Sequence, residues 1–212
     1  MLFELAKKTI APLVLRRAKE INGRENLPKK GPFLIIANHV SYLDPVLIGA
    51  LVAKWTGQKT HFISKHDLFR YFGRRIGEKW LGMIYVDPND RQACLKAALN
   101  FLRQGEVVGV FPEGTRWYQA GTLKKGKTGA ARLALWSQCP VVPVGYIGPM
   151  DKDVKNHLSF IFSKKQEIRI NIGKPLDLAK YLNQEITHRL LEEVTKEMLK
   201  AISQLSGKKY SY

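Results

Sequence analysis

Residues 33–44 read FLIIANHVSYLD, and the step from apolar to polar inside this stretch sets the architecture. Phe33, Leu34, Ile35 and Ile36 are four consecutive strand formers that follow the turn signal Lys30-Gly31-Pro32. A continuous apolar run suits a strand buried on both faces of a parallel sheet, whereas an alternating run would leave one face in water. Polarity changes at Asn38 and His39. Asp44-Pro45 then opens the apolar stretch VLIGALVAKW, with an acceptor at the N-cap and a proline at the first helical position. His39 is thereby predicted at the carboxyl end of a strand, just before a helix, which is where open α/β sheets bind ligands.

The spacing of His39 and Asp44 carries chemistry. Imidazole as a class titrates near neutral pH, so it can accept a proton in a transition state and return it. A carboxylate on the same turn can take Nδ1–H, aim Nε2 outward and stabilise the imidazolium as it forms. The same spacing is also met by an aspartate that only caps the helix with a histidine packed beside it. A second signal elsewhere in the chain is needed to separate the two.

At 212 residues with 45% hydrophobic content the chain can bury one substantial core, and no Pro/Gly/Ser-rich linker divides it. The expectation is an α/β single domain over 23–206, with a mostly parallel or mixed central sheet flanked by helices, preceded by an amphipathic helical segment over 1–22. Cys94 and Cys139 show no metal-ligand spacing and read as reduced packing residues. Lys and Arg number 35 against 18 Asp and Glu, a formal charge of +17, so the surface must meet something anionic. Nucleic acid and anionic membrane lipids both qualify. No zinc-finger spacing, RNP-like signature or recognition helix is present, so no specific nucleic-acid partner is expected.

Residues 1–22 mix Leu2, Phe3, Leu5, Ile10 and Leu13 with Lys7, Lys8, Arg16 and Arg17, and read as a helix bent or restarted at Pro12. Its apolar face either lies in a membrane interface or packs on the domain. Residues 33–55 are apolar enough to suggest a span, yet they hold Asn38, His39, Asp44 and Pro45, and no transmembrane helix is expected. A strand over 59–64 precedes Lys65 and the basic, aromatic segment 66–81, a second candidate for lipid contact. Residues 82–87 read as a strand ending in the turn Pro88-Asn89-Asp90, and Arg91 opens a helix that Gly105 ends.

A strand over 107–111 runs into Pro112-Glu113-Gly114-Thr115-Arg116. Gly114 lets backbone amides approach a ligand, Thr115 offers a hydroxyl, and Arg116 a bidentate fork that suits phosphate. Residues 121–128, GTLKKGKT, match a P-loop letter for letter, but no strand directly precedes Gly121, so the match reads as an anion-attracting loop before a helix. Residues 141–145 form a strand whose Pro143 is awkward in a central ladder and is expected at a strand end. A strand over 167–173, a packing helix over 184–205 and a disordered tail, GKKYSY, complete the chain.

NHVSYLD, FPEGTR and VVPV, in that order, resemble the glycerolipid acyltransferase superfamily, and within it the bacterial 1-acyl-glycerol-3-phosphate acyltransferases. The likeness runs from Gly23 to Gly173. It implies transfer of a fatty acyl group from a thioester, acyl-CoA or acyl carrier protein, to the sn-2 hydroxyl of a lysophospholipid acceptor, giving phosphatidic acid. It implies His39 as base, Asp44 as its orienting partner, and Glu113, Gly114, Thr115 and Arg116 as binders of the glycerol phosphate. It further implies a peripheral enzyme of the cytoplasmic membrane face, with no metal or cofactor. The family block V-D-R departs here to Val86-Asp87-Pro88, so Arg91 or Lys65 is expected to replace the missing cation. An acyltransferase for another lysolipid, a P-loop nucleotide binder and a non-catalytic basic membrane-surface protein stand as alternatives.

Overall fold

The computed structural model describes residues 2–65, 82–87, 89–150 and 168–212. The expected basic, aromatic segment 66–81 and Pro88 lie outside the described residues, as do the side chains of Lys65 and Arg91.

The chain opens with α1 (Leu2–Leu15), one helix that contains Pro12 rather than restarting there. Pro12 cannot donate to the Lys8 carbonyl, but Arg16 N bonds the Pro12 carbonyl at 3.1 Å and closes the last turn. Residues 18–22, expected to be helical, are instead the strand β1 (Ala18–Asn22). Then follow β2 (Phe33–Ala37), α2 (Asp44–Thr56), β3 (Thr60–Lys65), β4 (Ile84–Val86) and α3 (Arg91–Arg103). The second half holds β5 (Val107–Val110), α4 (Gly129–Ser137), β6 (Val141–Ile147), β7 (Ile168–Ile172), the single turn α5 (Ala179–Leu182) and α6 (His188–Ser206). No helix of the described residues is long and apolar enough to cross a membrane.

Among these residues the strands form one seven-stranded sheet in the order β1-β7-β6-β2-β5-β3-β4. β6 and β7 pair antiparallel, and the other pairs are parallel. The apolar run of 33–36 is the central strand. Phe33, Ile35 and Ala37 join the core layer of α1 and α2, while Leu34 and Ile36 join the layer of α3, α4 and α6. Each of the five residues of β2 is at most 1% exposed, which is why the run shows no alternation. α6 presses Leu190, Leu191, Val194, Met198, Leu199 and Ile202 onto the sheet, each burial stabilising by about 1.5–3 kcal/mol. Cys94 and Cys139 are free thiols, and burial pushes both upward from their ordinary range.

Pro143 lies inside a central strand, paired with Ile36, rather than at a strand end. Its carbonyl accepts from Gly173 N at 2.9 Å, so its edge faces β7. The β6–β7 ladder stops at Val144 and Ile172, so the missing N–H falls just past the last rung. The C-terminal tail is ordered as well: Lys209 bridges to Thr122, and Tyr210 packs against the layer of α6.

Gly109 in β5 leaves room for the Phe62 ring, which a Cβ would overlap. Phe62 stacks on Phe111, and Phe111 on His39, with centroids 5.7 and 4.1 Å apart. Gly109→Val is therefore expected to destabilise the fold by about 1–3 kcal/mol through overpacking. A urea midpoint equal to that of the parent would contradict this.

Candidate active site

β2 and β5 are parallel neighbours with Ile36 opposite Val110, so their carboxyl ends reach the same edge together. That edge receives His39 from one strand and the loop after Phe111 from the other.

His39 Nδ1 lies 2.9 Å from Asp44 Oδ2, and the same oxygen accepts from Val40 N at 2.7 Å and Ser41 N at 2.9 Å. A carboxylate oxygen that already takes two backbone donors can only accept from the ring, so Nδ1 carries the hydrogen and Nε2 is left with a lone pair. Asp44 makes no capping bond at all. α2 starts at Asp44 itself, its N-cap position is Leu43, and the carboxylate reaches backward to hold the turn that presents His39. The capping alternative fails on this geometry. Asp44 is fully buried, while the His39 side chain is 18% exposed and meets solvent at the edge.

Asn38 fixes the step before the histidine. Its amide donates to the Tyr146 carbonyl at 3.0 Å and accepts from Tyr146 N at 2.8 Å, extending the β2–β6 pairing through a side chain where the strand itself ends.

Across the edge, Glu113 is 1% exposed, and both of its oxygens are committed. Oε1 accepts from His39 N and Oε2 from Lys124 N, each at 2.9 Å. Burial pushes its carboxyl above the ordinary carboxylate range, while those two donors and the Lys208 ammonium pull it back. The expected part for Glu113 in binding a phosphate does not fit. Its carboxylate has no free oxygen to offer, and its charge would repel the ligand. It braces the His39 backbone, whose carbonyl is held in turn by Trp117 N at 2.8 Å.

Gly114 adopts φ +68°, a left-handed conformation that favours glycine, and a Cβ there would come within 2.6 Å of Lys127 Cδ. Thr115 follows, half-buried. The Arg116 guanidinium stacks on Tyr42, 3.3 Å from the ring centroid, and its buried Nη1 has no hydrogen-bond partner among the described residues. A buried guanidinium N–H in that state asks for an acceptor. His39, Asp44, Gly114, Thr115 and Arg116 are thus brought together.

The P-loop match has another use. Lys124 N goes to Glu113 and Lys127 N to the Pro112 carbonyl at 2.8 Å, so two of its amides are spent on the neighbouring loop. Lys65 ends β3, two strands from β2, and Arg91 opens α3 beyond β4, one strand farther. The amides that a helix start would offer an anion at Arg91 are taken in part by Asp90, whose Oδ1 accepts from Gln92 N and Ala93 N at 3.0 Å. That reduces the pull of this helix end on a phosphate.

A family model described as Acyltransferase matches residues 19–147, more than half the chain, and spans both the His39 turn and the Arg116 loop. The chain belongs to the acyltransferase family. Over 205 residues this acyltransferase is 29% identical to the 1-acyl-sn-glycerol-3-phosphate acyltransferase of Bacillus subtilis, covering 92% of each chain. The enzyme of that name from Borreliella burgdorferi is 26% identical over 84% of this chain and 70% of its own. The crystal structure of the 1-acyl-sn-glycerophosphate acyltransferase PlsC from Thermotoga maritima shares the fold at TM-score 0.61 and 21% identity, covering 99% of this chain and 84% of that one.

Sequence reasoning about this acyltransferase missed Asn38, Tyr42 and Phe111 as parts of the site. Only Asn38 carried a signal, a polar residue at the end of a buried apolar strand. Tyr42 and Phe111 lie within the motifs as their aromatic members, and nothing in their spacing separates a ring that stacks on the site from one that packs in the core.

Proposed function

We propose that the chain transfers a fatty acyl group from a thioester, acyl-CoA or acyl carrier protein, to the sn-2 hydroxyl of 1-acyl-glycerol-3-phosphate, giving phosphatidic acid. The observation that carries this reading is the meeting, at one sheet edge, of a histidine whose Nε2 is free to take a proton and an arginine whose buried N–H lacks an acceptor. The names borne by the similar proteins support the same acceptor.

In this scheme His39 Nε2 takes the proton of the acceptor hydroxyl as its oxygen attacks the thioester carbonyl. Asp44 stabilises the imidazolium that results. When the tetrahedral adduct collapses, the C–S bond breaks, and the thiolate leaves with the proton that His39 returns. Arg116 holds the acceptor phosphate, Gly114 and Thr115 line its approach, and Lys65 and Arg91 are the further cations that would stand in for the missing family arginine. The thioester is already activated, so a positioned hydroxyl and a base suffice, and the scheme calls on no metal or cofactor.

Release of free thiol from a long-chain acyl-CoA, measured across a panel of lysophospholipids, tests the proposal. Turnover should be fastest with the phosphate monoester head group. Equal rates with lysophosphatidylcholine would replace this acceptor by a wider class of lysolipids, and absence of thiol release with any donor and acceptor would remove the acyl-transfer reading.

We further propose that the enzyme sits on anionic membrane lipids through α1. Leu5, Ile10 and Leu13 on α1 are 60, 54 and 43% exposed, and Val46 on the adjoining α2 is 45% exposed, beside the cations Lys7, Lys8 and Arg16. Binding to vesicles containing phosphatidylglycerol should weaken steeply as salt rises above about 0.1 M, where the screening length is about 10 Å. Equal binding to neutral and anionic vesicles at all salt concentrations would contradict it.

A further inference from the structure

A cavity of about 500 Å³ opens between the loop 125–128, the first turns of α6 and the C-terminal tail, and neither His39 nor Asp44 lines it. Its size is that of a small-molecule site, for which about 300–1,000 Å³ is usual. Three segments build it. Gly126 lets the loop press onto α6, where a Cβ would overlap Thr195 and Leu199. The tail is tied to the same loop: Lys209 N donates to the Gly121 carbonyl at 2.8 Å, and Leu123 N donates to the Lys209 carbonyl at 2.9 Å. Those bonds place Tyr210 and Tyr212 at the cavity, with ring centroids 5.6 Å apart and planes 55° to each other.

The wall is net positive. Lys125, Lys127, Arg189 and Lys196 line it, against the carboxylates of Glu192 and Glu193. Arg189 Nε bonds Glu193 at 3.2 Å, so that pair cancels, while Lys125 and Lys196 form no ion pair among the described residues. Lys124 N and Lys127 N of the same loop are already bound to Glu113 and to the Pro112 carbonyl. An anion here meets ammonium groups, not the cradle of amides that a P-loop would offer.

An inorganic phosphate would leave the tyrosines without a part. Tyr212 is 52% exposed, and an aromatic face in water gains by stacking on a planar base. A phospholipid head group has phosphate but no such ring, whereas a nucleotide has both. The cavity also adjoins the reacting edge. Lys127 lines it, and the stem of the same side chain lies against Gly114, where a Cβ would come within 2.6 Å of Lys127 Cδ. Of the two acyl thioesters considered as donors, only acyl-coenzyme A carries a nucleotide, joined to its sulfur by a long arm.

We propose that this cavity holds the nucleotide end of an acyl-coenzyme A donor, with Tyr212 stacked on the adenine and Lys125, Lys127 and Lys196 on its phosphates. The proposal rests on the reading of the chain as an acyltransferase of thioesters and selects the donor.

Free coenzyme A, titrated by calorimetry into the parent, a Lys125→Met/Lys196→Met double variant and Tyr212→Leu, tests it. The dissociation constant should rise about tenfold for the double variant and about fivefold for Tyr212→Leu. ADP should compete with coenzyme A, and pantetheine should not. All three side chains are exposed, so the variants should melt with the parent. In turnover, the double variant should raise the KM for palmitoyl-CoA about tenfold and leave the KM for the lysophospholipid unchanged. With palmitoyl-pantetheine, which lacks the nucleotide, the difference between parent and variant should disappear. Equal affinity for coenzyme A in parent and variants would overturn the proposal. So would a loss of the same size with palmitoyl-pantetheine, or transfer from acyl carrier protein alone. Calorimetry needs no turnover, so failure of the cavity is read separately from failure of acyl transfer.

Discussion

His39→Ala is expected to lower acyl transfer by about a thousandfold or more while the protein stays folded. The ring is at the edge of the sheet, and its loss removes one stacking contact with Phe111 and one hydrogen bond to Asp44, neither of which joins β2 to its neighbours. Asp44 is a different case. An asparagine beside a catalytic histidine can fail by imposing the wrong tautomer, but Asp44 Oδ2 alone faces three donors. The amide oxygen of Asn would turn to those donors, and its NH2 would take the buried place of Oδ1, which has no partner among the described residues. The tautomer survives and the negative charge does not. Asp44→Asn should therefore cost about 10- to 100-fold in kcat, less than the loss of the base itself. Asp44→Ala also strands the N–H groups of Val40 and Ser41, at about 1–3 kcal/mol each, and should lower Tm as well as rate. Thiol release and thermal melting, run on the three proteins, separate these outcomes. Near-parental turnover by His39→Ala would take the base out of the mechanism.

Much of the fold was legible because its centre is extreme. β2 is buried on both sides, so its residues carry no alternation and cannot be mistaken for a surface element. The histidine edge followed from where that run stops. β1 was illegible for the opposite reason. Ala18–Asn22 is a short, half-exposed edge strand with mixed polarity, and its pairing partner in β7 lies far along the chain, so nothing local distinguishes it from an extension of α1. Tertiary pairing decided the matter, and propensity could not.

The site shows the same division. The residue types that take part in the proposed chemistry, His39, Asp44 and Arg116, are named by their motifs. Which way each side chain turns is not. Asp44 before Pro45 reads as a helix cap, and its backward reach to Val40 and Ser41 depends on the turn that places Leu43 in helical conformation at the N-cap. Glu113 reads as part of a ligand-binding motif, and its burial depends on two donors from segments 74 and 11 residues away. The GKKYSY tail lacks apolar periodicity, and its order comes from a bridge to Thr122 that no pattern within the tail announces.

Arg116→Ala is expected to raise the KM for the lysophospholipid by about 10- to 100-fold and to leave the KM for the acyl thioester unchanged. A hydrogen bond from a charged group contributes about 1.5–3 kcal/mol, which is the energy of that change. The guanidinium is well prepared for the part. Tyr42 beneath it fixes its plane, and the buried Nη1 has already lost its water, so an incoming phosphate oxygen meets a donor with little left to desolvate. Arg116→Lys should recover little. An ammonium keeps the charge but has neither the flat face that stacks on Tyr42 nor the fork that meets two oxygens. Tyr42→Leu, which leaves Arg116 charged but without its platform, should fall between the parent and Arg116→Ala. The effect must also depend on the ligand: with a monoacylglycerol acceptor, which has no phosphate, parent and variant should react at similar slow rates. An Arg116→Ala protein with both KM values unchanged would show that the unsatisfied N–H serves some other acceptor, and the phosphate would then have to be held by Lys65 or Arg91.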